Sequence, residues 1–229
     1  MKGISYIFFD LDHTLWDYET NATIALNELY EHFGLESFFT GFSAFLSTFH
    51  YHNNLLWHQY NLGQIDRDHI RKKRFELILE GRAPINGKEA LEMTDFFIAE
   101  CPKKTALMPG TKSILTQLDR KYRLGIITNG FNDIQDKKLS NAGIAHYFEH
   151  IITSETSGHR KPSPSIFKLA NELSGTESSE VVMIGDNFAT DIAGAKAAGW
   201  QSIWYDPENT GKYEHPHVIR HLEELEGIL

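Results

Sequence analysis

The 229-residue sequence carries a single cysteine, Cys101. One thiol cannot close an internal disulfide, so nothing staples the chain covalently, and a reducing cytoplasm is the compartment it suits. Positive charge is also in short supply: 22 Lys and Arg stand against 31 Asp and Glu, a formal net charge of −9. That balance argues against a nucleic-acid polymer or an anionic membrane as the main partner. Long hydrophobic runs are missing. No stretch approaches the roughly 20 apolar residues of a membrane span. The apolar start is broken at Ser5 and stopped at Asp10, too soon for a signal-peptide core. Zinc-site spacing is missing too: His32, His50, His52, His58 and His69 are scattered, with no Cys or carboxylate partner at ligand distance in sequence. What remains is ordinary globular material, 41% hydrophobic and 23% charged, long enough to bury a core without staples.

Short apolar runs mark the strands. Tyr6–Phe9 ends at Asp10, 124–127 ends at Thr128, 181–184 ends at Gly185-Asp186, and 202–205 ends at Asp206; 150–152 is a weaker fifth. The runs are continuous rather than alternating, as expected of strands covered on both faces. Helical patterns separate the later ones: 111–122, 133–141, 165–173 and 190–198. Strands alternating with helices predict a parallel three-layer α/β/α sandwich of Rossmann-like type. The tail, 216–229, reads as a closing helix.

Residues 16–104 have a different texture. Four helical segments, 22–33, 42–60, 66–79 and 88–100, are punctuated by Gly34, Gly63, Gly81, Pro84 and Gly87, and aromatic residues are dense among them. The segment reads as a helical insert emerging from the carboxyl end of the first strand. The core then consists of 1–15 and 105–229.

The chemistry collects at strand ends. Asp10 and Asp12, Thr128 and Asn129, and Asp186 and Asp191 all fall at or just past a carboxyl terminus of a strand, the edge where open α/β sheets bind ligands. Lys161 follows the weak strand and can reach the same edge. Close carboxylates repel, and one must hold a proton unless a cation intervenes. With Mg²⁺, Asp10, Asp12 and Asp186 form a hard-oxygen site with room for water and phosphate.

This set resembles the haloacid dehalogenase superfamily, and within it the phosphatases. Their DxDxT pattern is matched by Asp10, Asp12 and Thr14, their second-strand Ser or Thr by Thr128, their lysine by Lys161 before Pro162, and their GDxxxxD by Gly185, Asp186 and Asp191. The insert sits where this superfamily carries a helical cap of the first type. The resemblance implies that Asp10 is a nucleophile forming an aspartyl-phosphate and that Asp12 is the general acid and base. It also implies that Asp10, the Asp12 backbone carbonyl and Asp186 hold Mg²⁺, with Asp191 behind them. Thr128 and Lys161 would hold the phosphate, with Asn129 beside them.

Asp12 narrows the chemistry, because dehalogenases and phosphonate hydrolases of the superfamily lack an Asp there. The segment 125–131, with 56–60 and Gly63, is similar to phosphatases of pyrimidine and non-standard nucleoside 5′-monophosphates. That similarity implies a nucleoside monophosphate as substrate; Trp57 and Tyr60, three apart on one helix face, are the residues of which at least one is expected to reach its base. A phosphatase or phosphomutase for sugar phosphates or other small metabolites is the alternative.

Overall fold

The computed structural model describes residues 1, 3–84 and 86–229. The chain divides into two compact units, Met1–Tyr18 with Thr105–Leu229, and Glu19–Lys104.

The first unit is built on a six-stranded parallel sheet: β1 (Tyr6–Phe9), β2 (Arg123–Thr128), β3 (His150–Thr153), β4 (Val181–Gly185), β5 (Gln201–Tyr205) and β6 (Val218–Ile219). Their order across the sheet is β3-β2-β1-β4-β5-β6. β1 pairs with β2 on one side and β4 on the other, Phe9 lying level with Ile126 and Ile184. The chain winds outward from β1 through β2 to β3, then returns to β4 on the opposite side. This reversal opens a crevice at the carboxyl ends of β1 and β4.

Burial explains the continuous apolar runs. All four residues of β1 and all five of β4 are buried. Tyr6 and Phe8 point to one face and pack in one cluster with Ile127, Ile152 and Met183. The same cluster takes in Ile166, Phe167 and Ala170 from the helix Pro164–Ser174, and Ala195 from the helix Ala193–Ala197. The Tyr6 and Phe8 rings stack at 4.5 Å, and Phe8 stacks on Trp200 at 5.3 Å. Gly125 sits opposite Phe8 in the register. A Cβ at Gly125 would lie 2.5 Å from the Phe8 ring, so the glycine is what lets the ring lie over β2.

The second unit is helical. It holds α1 (Tyr18–His32) from Glu19 onward, then α2 (Phe42–Asn61), α3 (Arg67–Leu79) and α4 (Gly87–Glu100). The Asp66 side chain accepts from His69 N at the start of α3, and Asn86 and Glu89 form a reciprocal cap on α4. These bonds satisfy amides that have no partner inside the helix. Most of the aromatic density is packing. Phe45, Phe49 and Phe75 are fully buried, and Phe49 meets Phe97 edge-on at 5.2 Å.

The structure departs from the sequence reading in three places. The helix expected over 111–122 is α5 (Thr111–Leu118), which stops at Leu118. The helix expected over 190–198 opens as a wide turn, Phe188–Ile192, capped by the Asn187 side chain. The closing helix expected over 216–229 is replaced by β6 and a tight turn, Leu222–Gly227. Val218 and Ile219 are β-branched and join the open edge of β5, where Trp204 N donates to His217 O and Asp206 N donates to Ile219 O. Among the described residues no helix is long and apolar enough to cross a membrane.

Gly125→Ala should destabilise the protein by about 1–3 kcal/mol through overpacking against Phe8. Urea unfolding measures this, and an unchanged midpoint would show that the ring pair has room to move.

Candidate active site

Asp10 follows β1, and its backbone amide donates to Ile184 O at 2.9 Å, so the residue leaves the sheet tied to β4. The chain then turns sharply: Leu15 N and Trp16 N both donate to Leu11 O at 2.9 Å, and His13 takes a positive φ of 64°. This turn aims Thr14 back at β4. The Thr14 hydroxyl donates to Asp186 Oδ1 and accepts from Asp186 N, both at 3.1 Å. The His13 and Tyr18 ring centroids lie 5.0 Å apart.

Lys161 is the centre of the cluster. It is 1% exposed. Its Nζ donates to Asp10 Oδ1 at 2.5 Å and to Ile127 O at 2.7 Å, and it pairs with Asp191 Oδ1 at 2.7 Å. A buried ammonium is tolerated only when its hydrogens are taken up in this way. Asn129 fixes the lysine's backbone: its Oδ1 accepts from Lys161 N at 2.8 Å and its Nδ2 donates to Lys161 O at 3.0 Å. The Asn129 side chain therefore supports the lysine loop. Thr128 ends β2, and its hydroxyl oxygen accepts from Gly130 N at 3.1 Å.

The wide turn after β4 delivers Asp191. Asn187 N donates to Asp191 Oδ2, and the Thr190 hydroxyl donates to Oδ1, both at 3.1 Å. A Cβ on Gly185 would collide with the Asp191 carboxylate, so only glycine lets Asp191 fold back this closely. Trp204 Nε1 donates to Asp186 O at 2.9 Å and holds the main chain from β5.

Asp10, Asp186 and Asp191 bring one carboxylate oxygen each to within 4.8 Å of one another. Three hard anionic oxygens at this spacing fit a hard divalent cation. The Asp12 carboxylate is bonded elsewhere, to Lys138 and Gln135, and the part of Asp12 expected to face an ion is its backbone carbonyl. Burial raises the Asp10 pKa to about 8, with Asp191 and Asp186 adding to the rise and Lys161 opposing it. Burial and Asp191 raise Asp186 to about 7. Lys161 is held cationic: burial opposes its charge, but Asp10 and Asp191 outweigh burial and raise its pKa.

Two side chains that the sequence reading did not single out complete the site. The helix α6 (Asn132–Asn141) opens four residues after Thr128. Its Lys138 Nζ donates to Asp12 Oδ1 at 2.5 Å. Its Gln135 Nε2 donates to Asp12 Oδ2 at 3.0 Å and to Thr128 Oγ1 at 2.8 Å. Burial disfavours the Asp12 carboxylate, but Lys138 and the Gln135 hydrogen bond outweigh that and lower its pKa. The only sequence signal was an i, i+3 polar pair on the helix after β2.

Trp57 and Tyr60 lie on α2 in the helical unit, with ring centroids 5.4 Å apart and edge-on. Tyr60 is 3% exposed, so its ring has little surface left for a ligand; Trp57 is partly exposed.

The model of the haloacid dehalogenase-like hydrolases matches residues 4–199. The chain belongs to this family. It is 30% identical to the pyrimidine 5′-nucleotidase YjjG of Escherichia coli, covering 98% of this chain and 97% of that one. It is 32% identical to the glyceraldehyde 3-phosphate phosphatase of Pyrococcus abyssi, covering 88% and 81%. Among solved structures it is similar to the magnesium-bound HAD-hydrolase YfnB of Bacillus subtilis, with a TM-score of 0.90, 26% identity and coverage of 100% and 99%. The protein is thus a hydrolase of the phosphatase type within this superfamily.

Lys161→Met should cost about 3–5 kcal/mol, because it strands two buried carboxylates. The cost should depend on pH. Asp10 already has a folded pKa above its unfolded value, and losing the lysine raises it further. A raised acid stabilises fully below its unfolded pKa and loses that contribution as pH rises through the folded pKa. The deficit in chelated buffer should therefore be largest near pH 8–9 and shrink toward pH 5. Urea unfolding at both pH values checks this; a deficit equal at both would mean the lysine acts only by filling space.

Proposed function

We propose that this enzyme is a Mg²⁺-dependent phosphomonoesterase acting on nucleoside 5′-monophosphates. The observation that carries the chemistry is the placement of two aspartates, two residues apart, on two different lysines. Asp10 sits on Lys161 among the carboxylates, and Asp12 sits apart on Lys138. One carboxylate cannot attack phosphorus and donate a proton at once, and here the two are kept in separate environments.

In this reading an Asp10 oxygen attacks phosphorus as the ester P–O bond breaks, giving an aspartyl-phosphate. Asp12, which Lys138 holds ionised in the free enzyme, takes up a proton as the substrate binds and gives it to the departing alkoxide. Water then attacks phosphorus, the bond to Asp10 breaks, and Asp12 takes the proton from water. The Thr128 hydroxyl and the amides of the loop after β2 hold the phosphate oxygens, and Lys161, bonded to Asp10, adds positive charge behind the nucleophile. Asp10, the Asp12 backbone carbonyl and Asp186 would hold Mg²⁺, with Asp191 behind. Bound there, the ion supplies positive charge that offsets the approach of an anionic nucleophile to an anionic phosphate.

Similarity to a pyrimidine nucleotidase across almost the whole chain supports the nucleotide reading. A triose-phosphate phosphatase at like identity supports a second one, a phosphatase of small sugar phosphates. A phosphate-release screen separates them: nucleoside monophosphates, sugar phosphates and small organic phosphates, each with Mg²⁺ and with excess chelator. Pyrimidine nucleotides should lead, and chelator should abolish turnover. Preference for sugar phosphates would move the assignment to the second reading, and turnover in chelator would remove the metal. Asp10→Asn should lose activity by several orders of magnitude while keeping its fold, because a carboxamide is a very weak nucleophile.

Within the helical unit, Trp57 is the residue we assign to the base. Trp57→Ala should weaken nucleotide KM by roughly 1–3 kcal/mol, the value of one stacked base, and change turnover of 4-nitrophenyl phosphate far less. Equal losses on both substrates would place Trp57 in the packing of the helices.

A further inference from the structure

Both oxygens of Asp12 are held by α6. Lys138 takes Oδ1 at 2.5 Å and Gln135 takes Oδ2 at 3.0 Å. The Lys138 side chain is only 6% exposed, against 25% for Asp12. Its ammonium lies 4.4 Å from the centroid of the Trp16 ring and 5.8 Å from that of Tyr18. Asp12 and Trp16 are themselves joined by a backbone bridge. The cation is therefore trapped between a carboxylate and an indole face that belong to the same turn, and its position is fixed by both.

Gln135 ties this arrangement to the phosphate loop. It is fully buried, and its one amide nitrogen reaches Asp12 Oδ2 and Thr128 Oγ1 together. A Cβ on Gly130 would collide with that amide. Residue 130 must therefore be glycine for Gln135 to cross the loop and join the two. The end of β1 and the end of β2 are thereby locked to each other through a single side chain.

We propose that Lys138 and Gln135 are positioning residues that fix the Asp12 carboxylate in place for proton transfer to the leaving oxygen. The inference rests on the reading of Asp12 as acid and base. A carboxylate on a tight turn has free rotation about two bonds, whereas proton transfer in a phosphoryl-transfer step requires it within hydrogen-bond reach of one oxygen. Two bonds from one helix face remove that freedom. A purely structural ion pair at this place would support the fold equally for every substrate.

Leaving-group dependence separates the two. An alkoxide needs the proton from Asp12 as it departs, and 4-nitrophenolate departs without it. The experiment compares turnover of uridine 5′-monophosphate and glyceraldehyde 3-phosphate with that of 4-nitrophenyl phosphate in wild type, Asp12→Asn, Lys138→Met and Gln135→Met, all with Mg²⁺. Thermal unfolding accompanies each. Lys138→Met should lower the alkyl-to-aryl ratio of kcat by about 10- to 100-fold, the order expected for a misplaced catalytic group. The KM for the alkyl ester should stay close to wild type, and Lys138→Arg should restore part of the ratio. Gln135→Met keeps the charge, carries the same test if Lys138→Met does not fold, and should shift the ratio in the same direction. An unchanged ratio in Lys138→Met or Gln135→Met, beside a lowered ratio in Asp12→Asn, overturns the positioning role while leaving Asp12 as acid and base. An unchanged ratio in Asp12→Asn overturns the acid–base reading, and this inference falls with it. Failure of both Lys138→Met and Gln135→Met to fold makes the pair structural and also overturns the proposal.

Discussion

One buried ammonium organises the carboxyl edge of the sheet. Lys161 binds Asp10 after β1, Asp191 in the turn after β4, and the carbonyl of Ile127 in β2. Its partners thus come from three of the sheet's four central strands. None of those carboxylates could be buried without it, since an isolated charge in a protein interior costs several kcal/mol even after relaxation. Features that look unrelated in sequence serve this one contact. Asn129 holds the lysine's backbone, Gly185 leaves room for Asp191, and Asn187 caps the wide turn that swings Asp191 inward.

The arrangement also explains how two aspartates two residues apart come to differ. The sharp turn at His13 carries Asp12 off the line of β1, toward α6 and away from Lys161. Asp10 stays inside, where burial and two other carboxylates raise its pKa. Asp12 is met by a second lysine that lowers it. The difference comes from which lysine each carboxylate meets.

The parts of this picture that were legible in sequence share a physical cause. A strand buried on both faces must be written as an unbroken apolar run, so the cores of β1, β2, β4 and β5 stood out, and an Asp or Thr ending each run stood out with them. Lys161 was legible because a lysine before proline after a strand has few structural reasons to be there. Gln135 and Lys138 were not, since a polar residue on a helix reads by default as facing water. α6 is mostly polar, and its buried face is made of Gln135, Lys138 and Leu139. β6 escaped because two residues make no pattern; its pairing is decided by the free edge of β5. The wide turn after β4 escaped because its hydrogen bonds come from the Asn187 side chain, which periodicity does not register.

Substrate choice is a separate matter from the chemistry. Every side chain of the carboxylate and lysine network lies in the sheet unit, and the helical unit contributes none of them. Relatives that act on a nucleotide and on a triose phosphate stand at similar distance from this chain, so overall identity cannot rank the two. The discriminating information must therefore lie in residues that the core does not need. Most aromatic side chains of the helical unit are already committed: Phe45, Phe49, Phe75 and Tyr60 have almost no exposed surface. A flat aromatic face offered to a base has to come from a ring that the packing leaves partly open. Trp57 meets that condition, as do Tyr51 on the same helix and Phe33, Phe38, Phe42 and Phe96, so a ring for a base must come from this small open set and not from the aromatic density of the segment as a whole.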